Sequence, residues 1–141
     1  MKHTGAWVLA LVIGLTALST GCQSKVEQCN AFIDQANASQ NAFTALGAAM
    51  LNKDVLAGRV KTIRESIDKV KAVELKDEKL KEFQGRWAEG LEGMADGLDE
   101  MTKLDKTADI DKLNKLAETF DKEADKMGKL IDEINTYCSG S

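Results

Sequence analysis

The last third of the chain carries apolar residues at spacings that alternate four and three without a fault. They are Leu113, Ala117, Phe120, Ala124, Met127, Ile131, Ile134 and Cys138. Side chains at that interval fall on one face of an α-helix, so the segment specifies one long helix with a continuous apolar seam. Such a seam requires neighbouring helices to cover it. The rest of the chain agrees. Among its 141 residues there is no proline, the residue that breaks helix interiors, and the abundant Ala, Leu, Lys and Glu all favour helix.

Three further segments show the same rhythm. A first helix is expected over about residues 24–51, with Val26, Cys29, Ile33, Ala36, Gln40, Phe43, Gly47 and Met50 on its seam. Asn52-Lys53-Asp54 breaks it, and Asp54 is the expected N-cap of a second helix running to about Val73. That helix places Leu56, Val60, Ile63, Ile67 and Val70 inward. Carrying its period further would bury Asp77, so Asp77 is read as the cap of a third helix with Leu80, Phe83, Trp87, Leu91, Met94, Leu98 and Met101 inward. Lys106-Thr107-Ala108 forms the last turn, and Asp109 caps the fourth helix. Short connections make successive helices antiparallel. The expected fold is all-α, an antiparallel up-down-up-down four-helix bundle formed by residues 22–141 as one domain.

Residues 1–21 stand apart. Lys2 supplies a positive start, and Ala6 to Leu18 is an uncharged, mostly apolar run. It is shorter than the ~20 residues needed to cross a bilayer and has the pattern of an export signal. It ends in Leu18-Ser19-Thr20-Gly21-Cys22. This stretch resembles the lipobox of bacterial lipoprotein precursors, with Ser19 standing where that family favours Leu and Leu18 one place earlier. The resemblance implies cleavage between Gly21 and Cys22, a lipid on Cys22, and anchorage to a membrane through that lipid. Two or three acyl chains hold a protein stably where one does not. Gln23, rather than Asp, follows the cysteine. That resembles the pattern of lipoproteins sorted to the outer membrane, facing the periplasm. Loss of Lys2 with the leader would take the net charge from −4 to −5.

An exported chain leaves the reducing cytosol, where disulfides are rare. With Cys22 lipidated, Cys29 and Cys138 become an even pair. One lies near the start of the first seam and the other near the end of the last, which an up-down-up-down bundle brings to a common end. A Cys29–Cys138 disulfide is therefore expected. The alternative is two reduced thiols packed as small hydrophobes. The staple would lie beside the lipid anchor, with the opposite end of the bundle facing away.

Residues that could carry chemistry are sparse. The sole histidine, His3, belongs to the leader. Histidine-ligated haem, Glu-x-x-His di-iron sites and nucleophile–histidine pairs are thereby excluded for the bundle. Met101 and Met127 read as core. Asp105, Asp109, Asp111 and Asn114 cluster but lack the spacing and glycine of an EF-hand loop. Asp111–Lys115, Glu118–Lys122 and Asp125–Lys129 have the i,i+4 spacing of a solvated charged face. No metal or cofactor is implied. A net charge of −4 with no basic stripe argues against nucleic acid.

Two features remain. The third helix contains Gly85, Gly90, Gly93 and Gly97, each unfavourable in a helix by ~1 kcal/mol relative to Ala. They indicate close helix approach or simple tolerance, or a ligand or partner groove formed by Trp87, Gly90, Gly93 and Gly97. The first helix carries Asn30, Gln35, Asn37, Gln40 and Asn41, with Gln40 on the seam as a register-setting polar residue. The function expected is a non-enzymatic, lipid-anchored envelope protein whose bundle serves protein interaction or structural support, its envelope partner unidentified. The alternative is a binding protein for a small or apolar ligand. Carboxylate catalysis would require inward-facing acids that the seams do not offer.

Overall fold

The computed structural model describes residues 23–46, 52–105 and 109–140. Among them are four helices and no strand: α1 (Lys25–Thr44), α2 (Lys53–Lys71), α3 (Glu78–Lys103) and α4 (Ile110–Ser139). Residues 1–22, with the expected cleavage site at Gly21 and Cys22, the expected seam positions Gly47 and Met50, and the expected turn at 106–108 lie outside the described residues.

Local chemistry sets the helix starts. Ser24 and Glu27 form a reciprocal capping box, with Ser24 Oγ accepting from the Glu27 N–H at 3.2 Å and Glu27 Oε2 from the Ser24 N–H at 2.8 Å. Asn52, not Asp54, caps α2. Its Oδ1 accepts from the N–H groups of Asp54 and Val55 at 3.0 and 3.2 Å, which starts the helix earlier than the sequence suggested. Asp77 caps α3 through the Leu80 N–H at 3.0 Å. Asp109 occupies the N-cap of α4, but its side chain accepts no backbone N–H of the helix. It accepts instead from the Asp105 N–H and pairs with Lys112. α2 ends at Lys71, before Val73, because Gln84 of α3 donates to the carbonyls of Val70 and Val73 at 2.7 and 2.9 Å. These are acceptors that a helix C-terminus leaves unpaired.

Successive helices run antiparallel. Arg64–Asp96 and Lys71–Glu92 cross between α2 and α3, and Arg86–Glu133 crosses between α3 and α4. One core joins all four helices. Leu56, Val60, Ile63, Ile67 and Val70 are all buried in α2. In α3 the buried face includes Ala88 and Ala95, while Met94 and Met101 sit at its margin. The seam of α1 differs from expectation. Val26 is 50 % exposed and Gln40 lies at the surface, whereas Phe32 and Ser39 are fully buried. The helix is rotated so that Cys29, Phe32, Ala36 and Ser39 point inward. Phe32 contributes more apolar area than Val26, and Ser39 is needed by Trp87.

α4 is not evenly covered. Met127, Leu130 and Ile134 are buried, but Ala117 and Ala124 are exposed and Leu113 and Phe120 only half-buried. α1 packs on α2 and α3 yet barely meets α4, and that slight contact includes the disulfide. Among the described residues the bundle is closed at one end and open between α1 and α4 at the other.

Candidate functional site

At the closed end the structure joins Cys29 and Cys138 in a disulfide, with Cα atoms 5.9 Å apart and a sequence separation of 109. A clasp of side chains surrounds it. Tyr137 lies edge-on to Phe83 at 5.7 Å and donates its hydroxyl to the Asp77 carboxylate. The Lys25 ammonium sits 3.8 Å above the Tyr137 ring. Gln28, buried in α1, accepts from the N–H groups of Lys76 and Asp77 at 2.6 and 2.9 Å and donates to the Gln23 carbonyl. It ties α1 to the α2–α3 connection. No apolar period flags Gln28; only its position beside Cys29 hints at burial.

The same geometry shifts two titrations. The Leu80 N–H holds Asp77 below the usual carboxylate range, and the Tyr137 hydroxyl adds to the effect. The Asp77 carboxylate in turn pushes the Tyr137 phenol upward. Further along α3, Arg86 grips Glu133 through two bonds of 2.6 and 3.0 Å. This raises the guanidinium and lowers the carboxyl.

The open end holds a groove of about 600 Å³ between α1 and α4, floored by α3. Trp87, Leu91 and Leu98 form the floor, Phe43 lies on the α1 wall, and Phe120 and Ile131 lie on the α4 wall. Trp87 is 2 % exposed, and its Nε1 donates to Ser39 Oγ at 3.0 Å. Ser39 donates in turn to the Ala36 carbonyl at 2.7 Å. The one polar atom of the tryptophan is thereby satisfied inside the core, and the indole offers the groove only hydrocarbon. Among the described residues no buried side-chain polar atom lacks a hydrogen-bond partner.

The four residues expected to form one groove are divided by the structure. Trp87 lines the apolar groove. Gly90 and Gly93 line a separate, smaller depression of about 420 Å³ with Arg86, Glu89 and Glu123. Gly97 faces the Phe120 ring, whose Cζ would lie 3.0 Å from an added Cβ. Gly90 faces Met127, whose Sδ would lie only 2.5 Å from such an atom. Two turns separate Gly90 from Gly97, and two turns separate Phe120 from Met127. The glycines thus receive the two large side chains of the antiparallel partner, and α3 and α4 approach closely. Gly85 and Gly93 meet nothing within 4 Å and are not required by packing.

The buried polar side chains among the described residues are Gln28 and Ser39. No group of three or more His, Cys, Asp or Glu among them could hold a metal ion. Near the last turn Asp109 pairs with Lys112, and further along Glu123 pairs with Lys126, both at i,i+3. Among the described residues no helix is long and apolar enough to cross a membrane. Comparison with protein-family models, curated protein sequences and solved structures finds no match.

Proposed function

We propose that this chain is a lipid-anchored protein of a bacterial cell envelope that works by binding rather than catalysis. The observation carrying this reading is the allocation of its three cysteines. Cys29 and Cys138 are joined to each other, which leaves Cys22 as the odd thiol, immediately behind Ser19-Thr20-Gly21 and the apolar run. A disulfide suits an oxidising compartment, and the lipobox-like stretch supplies the route to one. Ser24 already caps α1, so one residue, Gln23, separates the anchor from the bundle. The domain then rides close to the lipid surface, with its open end outward. Gln23 after the cysteine favours the outer membrane.

The test is Cys22→Ser in the bacterial host, read by fractionation and by incorporation of labelled palmitate. Release of the protein from membranes and loss of label are expected. Label retained on the variant, or unchanged sedimentation with membranes, refutes the anchor. An envelope protein partner, if the bundle serves one, is identified by crosslinking in the intact envelope followed by mass spectrometry.

A second reading, a bundle that binds a small apolar ligand, is favoured by the groove. Its volume falls within the ~300–1,000 Å³ of small-molecule sites, and such sites are lined mainly by apolar and aromatic side chains.

A further inference from the structure

We infer that the groove between α1 and α4 holds one extended hydrocarbon chain of an amphiphile whose head group is uncharged or cationic. The inference rests on the small-ligand reading and is independent of the anchor at Cys22.

Shape selects the chain. Along α3 the groove runs from Trp87 to Leu98, and along α4 from Ala117 to Ile131. At 1.5 Å per residue these spans are about 16 and 21 Å. A volume of about 600 Å³ over that length leaves a cross-section of roughly 30–40 Å². An amphipathic helix can rest only one face in the open groove, which the peptide displacement below tests, and at 10–12 Å across, needing roughly 80–110 Å², it does not fit inside. A hydrocarbon chain, its carbons packed about 4 Å from their neighbours, needs roughly 20 Å² and does. A second copy of the chain is disfavoured because a stable interface covers about 800 Å² per partner, far more than this slot presents.

Chemistry selects the head. The floor carries no free donor, since the Trp87 N–H is committed to Ser39. The polar lining residues are Gln40 and Thr44 of α1 and Asp121 of α4. Asp121 is the only charged side chain among them, and no Lys or Arg joins the described lining. A carboxylate or phosphate head would meet a like charge and no cation among the described lining residues, whereas a hydroxyl or ammonium would meet acceptors. Met94 and Met127 add adaptable walls that accommodate chains of differing length.

The experiment uses the full chain carrying Trp7→Phe, which leaves Trp87 as the only tryptophan. The protein is held in a cholate-type detergent that has no alkyl chain. Bromine-tipped undecanol, undecylamine and undecanoate are titrated while Trp87 fluorescence is read, because bromine quenches only on contact. Undecanol and undecylamine should quench, and undecanoate should bind about three- to fivefold more weakly, a gap that narrows in salt. Across a series of bromine-tipped alcohols, each added methylene should tighten binding by up to about fourfold until the groove is full.

Two variants locate the site. Gly128→Leu projects into the groove from a position where an added Cβ meets nothing within 4 Å. It leaves the core intact and should weaken undecanol binding about tenfold or more. Asp121→Asn should bring undecanoate up to undecanol. The inference is overturned if none of the three probes quenches Trp87, if Gly128→Leu leaves quenching unchanged, or if undecanoate binds as tightly as undecanol. It is also overturned if an amphipathic helical peptide displaces the alcohol as well as free undecanol does, or if the groove proves to be a dimer contact that Gly128→Leu abolishes in sedimentation. None of these results bears on the Cys22→Ser outcome, so the two readings fail separately.

Discussion

Reduction of the Cys29–Cys138 bond should remove a large share of the stability of the fold. The bond spans 109 residues. Closing a loop of that size in the unfolded chain corresponds to about 4.7 kcal/mol in the chain-entropy model, and measured losses run about 2–5 kcal/mol. Little opposes the loss, because α1 and α4 barely meet elsewhere. Cys29 is 2 % exposed and continues to pack as a thiol, so reduction tests the crosslink rather than the burial. The assay is urea unfolding of the purified protein by circular dichroism, with and without a strong dithiol reductant. For a domain of this size the slope is about 1–3 kcal/mol per molar urea, so the midpoint should fall by about 1–3 M. The slope itself should rise, since the uncrosslinked denatured chain expands further. The double variant Cys29→Ala/Cys138→Ala should match the reduced protein to within about 1 kcal/mol. A reduced midpoint within about 0.3 M of the oxidised one, or recovery of both thiols free on nonreducing peptide mapping, would refute the reasoning.

Glycines in α3 should separate by their neighbours. Gly93→Ala, in open space, should stabilise by about 0.5–1 kcal/mol through helix propensity, whereas Gly90→Leu, driven against Met127, should destabilise by about 1–3 kcal/mol. Thermal denaturation of the two variants decides it, and equal effects would remove the close-approach account. Asp77 should govern part of the acid limb. Its native carboxyl is depressed, so its contribution is fully present above the ordinary value of 3.8 and is lost as pH falls through the lower native one. Asp77→Ala should cost about 0.5–2 kcal/mol at neutral pH as a lost cap, and stability measured against pH should then fall less steeply below about pH 4.

Much of this fold is legible before any coordinates. α2 is the clearest case, since five apolar residues at helical spacing leave no other face to bury. The Asp77 cap follows from the same logic, because continuing the period would place a carboxylate in the core. α1 is harder. Its apolar residues are few, and two overlapping stripes, Val26–Ile33–Gln40 and Phe32–Ser39, compete by a rotation of about 100°. The size of Phe32 is a usable signal. The burial of Ser39 is not, because it depends on a tryptophan in another helix. The groove is hidden for a different reason. The unbroken stripe of α4 reads as fully covered, but α1 spans 20 residues against 30 for α4, about 30 Å against 45 Å. Sequence periodicity reports that a face is apolar. It does not report which neighbour stops short.

The clasp formed by Gln28, Tyr137, Lys25 and Asp77 lies wholly at one end of the molecule, beside the disulfide. Cooperative opening is cheapest where few buried side chains must be exposed, and the first half of α4 has none. That half, held on α3 mainly by Phe120 against Gly97, is therefore the first expected to open, while the opposite end keeps its grip. Compliance and tensile strength then fall at opposite poles of one short bundle, so a load on the N-terminus is expected to pass through the covalent pole and spare the half that yields first.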